Sequence, residues 1–446
     1  TLYSFTKLPL PPMSKRITFS QGLSGALLWS VISAAFIGPG TVTTASKAGA
    51  GYQLQLLWAL AFSTVATILL QEAAARIAIG SGKSLGQILA EKYSSGSGRR
   101  ICVILFVAVA TGCAAYQAGN ILGAVAGLEV LSSLPRQWLT LIVGAACVAL
   151  LWSGKFKVIA KLLGLVVLLM GIAFIAVAVQ TDFTASDYAK AMLPTLPGGS
   201  LLLVIGLIGT TIVPYNLFLA SGIGRGQQLG EMRWGIAIAV TVGGVISMAI
   251  LVAGTFSTVD FTFPSLSATL GAQLGNWASA LFAFGLFAAG ASSAITAPLA
   301  AALAGQSLLG EGNPGWQGNG RWFRATWGLV LATGLLFGML EVRPIPIIIA
   351  AQAINGLLLP VVAAFLLLAV NDRALLPAAY RNGPWYNAAL LGITGIVFCL
   401  GMNQIWSALK NLISSINTDS EGVWIFNIVV TGLALTALGW KLSWRR

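Results

Sequence analysis

The chain has 446 residues, 57% of them hydrophobic and only 8% charged, with a mean hydropathy of +0.87. That balance excludes a water-soluble globular protein, and apolar stretches of roughly 20 residues, long enough to cross a bilayer, recur from end to end. The net charge of +13 would suit nucleic acid, but the placement of the charges excludes that partner.

Residues 1–22 read as a polar, proline-containing tail, and twelve spans are expected after it. They lie at about 23–46, 53–79, 101–128, 137–153, 158–180, 200–222, 234–256, 274–304, 323–340, 345–370, 386–405 and 423–441. With the N-terminus inside, the inner segments hold 20 of the 25 basic residues, leaving only Lys47, Arg136, Lys190, Arg343 and Lys410 outside. This asymmetry predicts cytoplasmic termini at both ends of an integral membrane protein, most simply of a bacterial inner membrane. The bilayer is the expected partner, and the basic charge is a topology signal. Cys102, Cys113, Cys147 and Cys399 all fall within spans, so no disulfide framework is implied. The first apolar segment runs well past the length of a signal peptide.

The first span carries Ile37-Gly38-Pro39-Gly40-Thr41. Pro39 has no amide to donate and the two glycines carry a high entropic cost, so a regular helix breaks there. At mid-membrane, freed backbone groups are tolerated only where they line a cavity or are buried in protein. The second span ends in Leu70-Gln71-Glu72 and Arg76; Glu72 and Arg76 stand four apart and can pair on one helix face, most simply as a structural pair. The Gly/Ser-rich stretch 80–98 suits an inner surface loop. On the third span, Gln117 and Asn120 lie three apart and face the same way, and such amides more often tie helices together than meet substrate. The fourth and fifth spans read as scaffold.

The sixth span is interrupted at Gly209-Thr210-Thr211-Ile212-Val213-Pro214-Tyr215-Asn216. Interrupted spans in corresponding positions of two halves are the best sequence pointer to a secondary transporter's binding site. The eighth span carries Gly290-Ala291-Ser292-Ser293, whose small residues permit close helix approach, and the tenth carries Gln352, Asn355 and Pro360. The last two spans have little polar content and look peripheral.

Together, the two breaks, Leu70-Gln71-Glu72 with Arg76, Gly290 to Ser293 with Ile295-Thr296, and Gln352 with Leu359-Pro360 resemble the natural resistance-associated macrophage protein (Nramp) family over roughly residues 20–375. The resemblance implies an all-α, LeuT-type membrane fold: inverted five-helix repeats at 23–180 and 200–370, then peripheral helices and a C-terminal tail at 386–446. It implies a substrate site where spans 1 and 6 unwind, formed by Gly38, Pro39, Gly40, Thr41, Thr210, Thr211, Val213, Pro214, Tyr215 and Asn216. Gln117, Asn120, Ser292, Ser293, Gln352 and Asn355 are further candidates to line the cavity. Family members are typically proton-coupled importers of manganese or iron.

The departures fall on the chemistry. Where the family has Asp-Pro-Gly-Asn, this chain has Gly38-Pro39-Gly40-Thr41; where it has Met-Pro-His, the chain has Val213-Pro214-Tyr215. Many members carry acidic residues for proton passage on span 3, where this chain has Gln117 and Asn120. There is no histidine in the chain, and Glu72 is the one acidic residue expected inside a span. A dehydrated transition metal needs carboxylate, thiolate, thioether or imidazole ligands, so no metal ligand set and no cofactor are expected. An intramembrane enzyme is the least supported class, for want of convergent nucleophile, base or metal ligands.

The free amides that begin the half-helix after Thr41 suit an anion, and bare glycines at 38 and 40 would let a small carboxylate approach them. The favoured expectation is therefore an alternating-access carrier of a small carboxylate or zwitterion. The alternative is an atypical divalent metal transporter, for example of a still-hydrated ion.

Overall fold

The computed structural model describes residues 37–93, 97–154, 157–224, 227–257, 261–310, 313–317, 320–340, 342–412 and 421–443. Most of span 1, including its first half-helix, and the N-terminal tail lie outside the described residues. Among the described residues, eleven stretches are long and apolar enough to cross a bilayer, one of them, Pro39–Ser81, joining the described end of span 1 to span 2.

Sixteen α-helices follow in order among the described residues. Span 1 contributes α1 (Pro39–Tyr52), which ends where Gln53 turns the chain at φ 53°. Then come α2 (Leu57–Ser81), the short α3 (Leu85–Lys92), α4 (Ser97–Leu131), α5 (Arg136–Ser153), α6 (Lys157–Ala178) and the short α7 (Ala185–Ala191). Span 6 is two helices, α8 (Leu201–Thr211) and α9 (Pro214–Ile223). The remainder are α10 (Leu229–Gly254), α11 (Phe263–Leu274), α12 (Asn276–Leu309), α13 (Arg321–Met339), α14 (Pro344–Val370), α15 (Pro384–Leu412) and α16 (Glu421–Ser443).

Two corrections to the sequence reading come from local chemistry. The stretch 80–98 is not all loop: Ser84 caps α3, accepting from the Gln87 amide while the Gln87 side chain accepts from the Ser84 amide. Such a capping box starts a helix even in a Gly/Ser-rich setting. α1 continues six residues past the expected end of span 1 at residue 46, so Lys47 is part of the helix.

The breaks are held at the centre by packing around α4 and α12. These two helices meet through Gly290, where an added Cβ would stand 2.5 Å from the Ala124 nitrogen and 2.6 Å from the Asn120 carbonyl oxygen. Only glycine allows that backbone approach, in line with helix association in membranes through small residues. At the periphery, α16 presents Ile425, Ile428, Leu433 and Trp440 outward, the surface expected of a lipid-facing helix.

Glu72 is a structural acid. Its Oε2 accepts from Arg76 Nε at 3.1 Å and from the Tyr386 hydroxyl at 2.6 Å, and its Oε1 accepts from Arg233 Nε at 2.9 Å. Arg76 also lies over the Tyr386 ring, 4.9 Å from its centroid, and donates to the Tyr380 carbonyl and to Asn382 Oδ1. One carboxylate thus joins α2 to α10 and α15. Removing one partner of a buried ionic cluster leaves a charge uncompensated, at a cost of about 3–5 kcal/mol. Glu72→Ala should therefore lower the detergent melting temperature sharply, read by fluorescence unfolding; an unchanged melting temperature would contradict a structural role.

Candidate substrate site at the broken helices

Span 6 breaks where the sequence placed it. The α-helix stops at Thr211, Ile212 (φ −92°, ψ 84°) and Val213 (φ −89°, ψ 120°) run extended, and Pro214 starts α9 as its first helical residue. Span 1 repeats the pattern: Gly38 is extended (φ −95°, ψ −177°) and Pro39 starts α1. Proline is suited to a first helical position, since its missing amide would lack an intrahelical partner there anyway. The result is two half-helix starts, in equivalent places of two spans, both buried.

Neutral hydrogen bonds join the breaks. The hydroxyls of Thr41 and Thr210 meet at 2.8 Å. The Gly209 carbonyl, one of those left over at the end of α8, accepts from the Tyr116 hydroxyl of α4 at 2.5 Å. The Thr211 carbonyl accepts from Thr67 Oγ1 of α2 at 3.3 Å. The rings of Tyr116 and Tyr215 stack edge to face with centroids 5.9 Å apart. The Pro39 ring rests against Gly123 of α4.

The glycines of span 1 are not bare. A Cβ at Gly38 would sit 3.2 Å from Ser293 Oγ and 3.9 Å from Asn120 Oδ1. At Gly40 the space is taken by the carboxamide of Gln352, whose Cδ would lie 2.5 Å from an added Cβ. The expectation of an open backbone face at Gly40 is thus corrected: a side chain from α14, remote in sequence, covers it.

Side chains around the breaks carry buried polar atoms with no partner among the described residues; besides Thr43 and Thr44 of α1, three stand out. They are both amide atoms of Asn216, Ser293 Oγ and Gln352 Oε1. Each residue is at most 2% exposed. An unmade hydrogen bond on a buried group costs about 1–3 kcal/mol, so such a cluster favours a polar occupant. The other candidates are spent differently. Gln117 donates to the Ala294 carbonyl of α12 at 3.0 Å, Ser292 Oγ to the Ala289 carbonyl, and Asn355 to the carbonyls of Gly112 and Ala351. Asn120 lies 3.5 Å from Gln117 Oε1. Of these, Gln117 ties α4 to α12 and Asn355 ties α14 to α4, the role that amides in membrane helices more often have, while the Ser292 and Asn120 contacts stay within their own helices.

A sizeable cavity falls elsewhere, and sequence reading missed it. It has a volume of about 620 Å³ and is lined by α3 (Ser84, Gln87, Glu91), α9 (Phe218, Leu219, Gly222) and α12 (Ala300, Leu303, Gln306, Ser307) among others. The one available signal was the three- and four-residue spacing of polar side chains on α3. Among the described residues, no group of three or more His, Cys, Asp or Glu side chains could hold a metal ion.

Comparison with known proteins follows this geometry. The model of the natural resistance-associated macrophage protein-like family matches residues 30–407. A relative named divalent metal cation transporter MntH, from Acidiphilium cryptum, is 26% identical over 395 residues, covering 84% of this chain and 88% of that protein. The metal transporter Nramp3 of Oryza sativa is 28% identical over 307 residues, covering 63% of this chain and 55% of that protein. Among solved structures, a mutant of the Eremococcus coleocola manganese transporter superposes with a TM-score of 0.72 at 19% identity, covering 99% of this chain and 97% of that one. A nucleobase-cation-symport-1 transporter, MHP1, superposes with a TM-score of 0.56 at 14% identity, covering 94% and 92%. These neighbours show the fold, which is of the LeuT type. With the family pattern matched across most of its length, the chain belongs to the natural resistance-associated macrophage protein (Nramp) family of membrane transporters.

Proposed function

We propose that the chain is an alternating-access secondary transporter of a divalent cation that keeps much of its water shell, held between the two breaks by neutral oxygens. The observation that carries this reading is the set of partnerless buried polar atoms on Asn216, Ser293 and Gln352, in a site that offers no anionic ligand. Small hard cations such as magnesium dehydrate reluctantly and keep several waters. Those waters donate to hydroxyl and amide oxygens, which is what this site supplies. Soft metals want thiolate, thioether or imidazole, and no Cys, Met or His is among Gly38–Thr41 and Thr210–Asn216. The names of the relatives, a divalent metal cation transporter and a manganese transporter, support a cation cargo.

The favoured sequence reading, a carboxylate or zwitterion carrier, gives way to its alternative. It needed an exposed backbone at Gly40, and Gln352 fills that place. The sequence relatives named above, MntH and Nramp3, carry the names of metal transporters. Within the proposal, residues 23–180 and 200–370 are the two inverted repeats, both termini are cytoplasmic, and substrate contact falls to Gly38–Thr41, Thr210, Thr211 and Val213–Asn216. With Gln117 and Asn120 in neutral hydrogen bonds, span 3 carries no proton.

Uptake into proteoliposomes tests the reading. Magnesium and manganese should both enter, with little discrimination and no preference for cadmium, and a panel of small carboxylates should not. Carboxylate uptake without divalent-cation uptake would overturn it.

A further inference from the structure

Beyond the break, α1 carries a polar face to the far end of the helix, the outer end when both termini are cytoplasmic. Gly40, Thr44, Lys47 and Gly51 follow one another at steps of four, three and four residues, so they share one side of the helix. Gly40 lies under the Gln352 carboxamide of α14. Thr44 is fully buried, its methyl 3.1 Å from a Cβ placed on Gly206 of α8, and its hydroxyl has no partner among the described residues. Thr43, on the flank of the same side and four residues before Lys47, is buried and partnerless in the same way. Gly51 is exposed, and a Cβ there would meet nothing within 4 Å. Unsatisfied buried hydroxyls thus lead from the partnerless Gln352 Oε1 at the break towards open surface.

Lys47 stands on this face about 10 Å beyond Gly40, at 1.5 Å of rise per residue. It is half-buried, whereas every other residue from Thr41 to Ala50 is buried. Among the described residues it makes no ion pair. Pro39, eight residues before it, rests on Gly123 of α4, and Gly40, seven before it, faces Gln352 of α14. Lys47 therefore leaves the helix between the directions of α4 and α14. Helical side chains lean towards the N-terminus of their own helix, which here is back towards the break and away from the lipid headgroups. An uncompensated charge within a span is costly and marks an ion or substrate path more often than a structural contact.

We infer that Lys47 is the charge filter of the outer half of the path, a specificity-determining residue that acts on the approaching solute without binding it. Its fixed ammonium repels a divalent ion twice as strongly as a monovalent one. It therefore limits how readily a divalent cation reaches the breaks from outside and raises the concentration needed to fill them. The sign of this effect rests on the cation reading above, but the place of Lys47 on the path does not.

The test is initial-rate manganese uptake by the full-length protein in proteoliposomes, at subsaturating manganese and low salt. Lys47→Met should raise the rate at least about four-fold, the effect of one unit charge on a divalent ion at that distance in water. Lys47→Arg should stay at the wild-type rate. The gain should shrink as sodium chloride rises to about 1 M, where the Debye length is about 3 Å; a merely structural role would not respond to salt in this way. Lys47→Cys supplies a second readout through membrane-impermeant methanethiosulfonates. A cationic reagent should return uptake to the wild-type rate and a sulfonate reagent should not, with labelling read as a mass shift and the four native cysteines of the wild type as background. An unchanged rate in Lys47→Met, a gain that salt leaves intact, equal effects of the two reagents, or no labelling at position 47 overturns the filter. Carboxylate uptake that falls in Lys47→Met, in a protein that moves no manganese, would retain Lys47 on the path and overturn the proposed function. Manganese uptake indifferent to the charge at position 47 would do the reverse.

Discussion

Replacing Gly40 with valine should abolish transport while the protein still inserts and folds. An added Cβ at Gly40 collides with the Gln352 carboxamide, with Oε1 at 2.9 Å and Cδ at 2.5 Å. Gln352 is 1% exposed and sits on α14, so it has no solvent to retreat into. Overpacking of this kind typically costs about 1–3 kcal/mol, which a large helical bundle tolerates in stability but a site built around that carboxamide does not. A branched side chain also restricts the backbone at the first turn of α1. Cation flux at matched expression should fall by at least about ten-fold, the equivalent of one 1.4 kcal/mol step. Shortening the neighbour in Gly40→Ala/Gln352→Ala should relieve the collision, and a double-mutant cycle with the singles then measures the coupling. Full activity in Gly40→Val would mean that α1 does not border the path.

The second large effect is expected from Gly38→Asp, with the opposite sign. A Cβ at Gly38 stands 3.2 Å from Ser293 Oγ and 3.9 Å from Asn120 Oδ1, so the site takes the side chain if the serine gives by a few tenths of an ångström. The new carboxylate would be the first anionic ligand at the breaks, where the family resemblance places an aspartate. One unit charge pair at close range is worth about 4 kcal/mol at an effective dielectric near 20, more for a divalent ion and less once desolvation is counted. Manganese affinity by calorimetry should rise at least about ten-fold over the wild type. An organic-anion carrier would respond in the other direction, losing its substrate by repulsion. Unchanged manganese binding in a folded Gly38→Asp protein would remove the breaks from the cation path.

Both effects turn on a contact that the sequence does not display. The breaks themselves were legible, because Pro39 and Pro214 with their flanking residues interrupt apolar spans by local rules alone, and the second half of each appears where expected. The Glu72–Arg76 pair was legible for the same reason, being four residues apart. Arg233 and Tyr386, which complete that cluster, are 161 and 314 residues from Glu72 and no local pattern announces them. Gln352 over Gly40 is a case of the same kind. Two glycines in a broken helix read as open backbone until the tertiary fold brings α14 against them, and the carboxylate reading rested on that openness. The cavity escaped notice because its walls come from three elements, one of them a capped helix inside a stretch that composition marks as loop.

The most direct measurement is anomalous scattering from crystals of the wild-type protein soaked in manganese. The account predicts a single strong peak between Gly38–Thr41 and Val213–Asn216, with the ion at water-mediated distance from Asn216, Thr41 and Thr210 and not at the direct metal–oxygen distance of about 2.0–2.2 Å. No peak at the breaks under saturating manganese, or organic density in that place, would contradict the central claim that this site holds a hydrated cation.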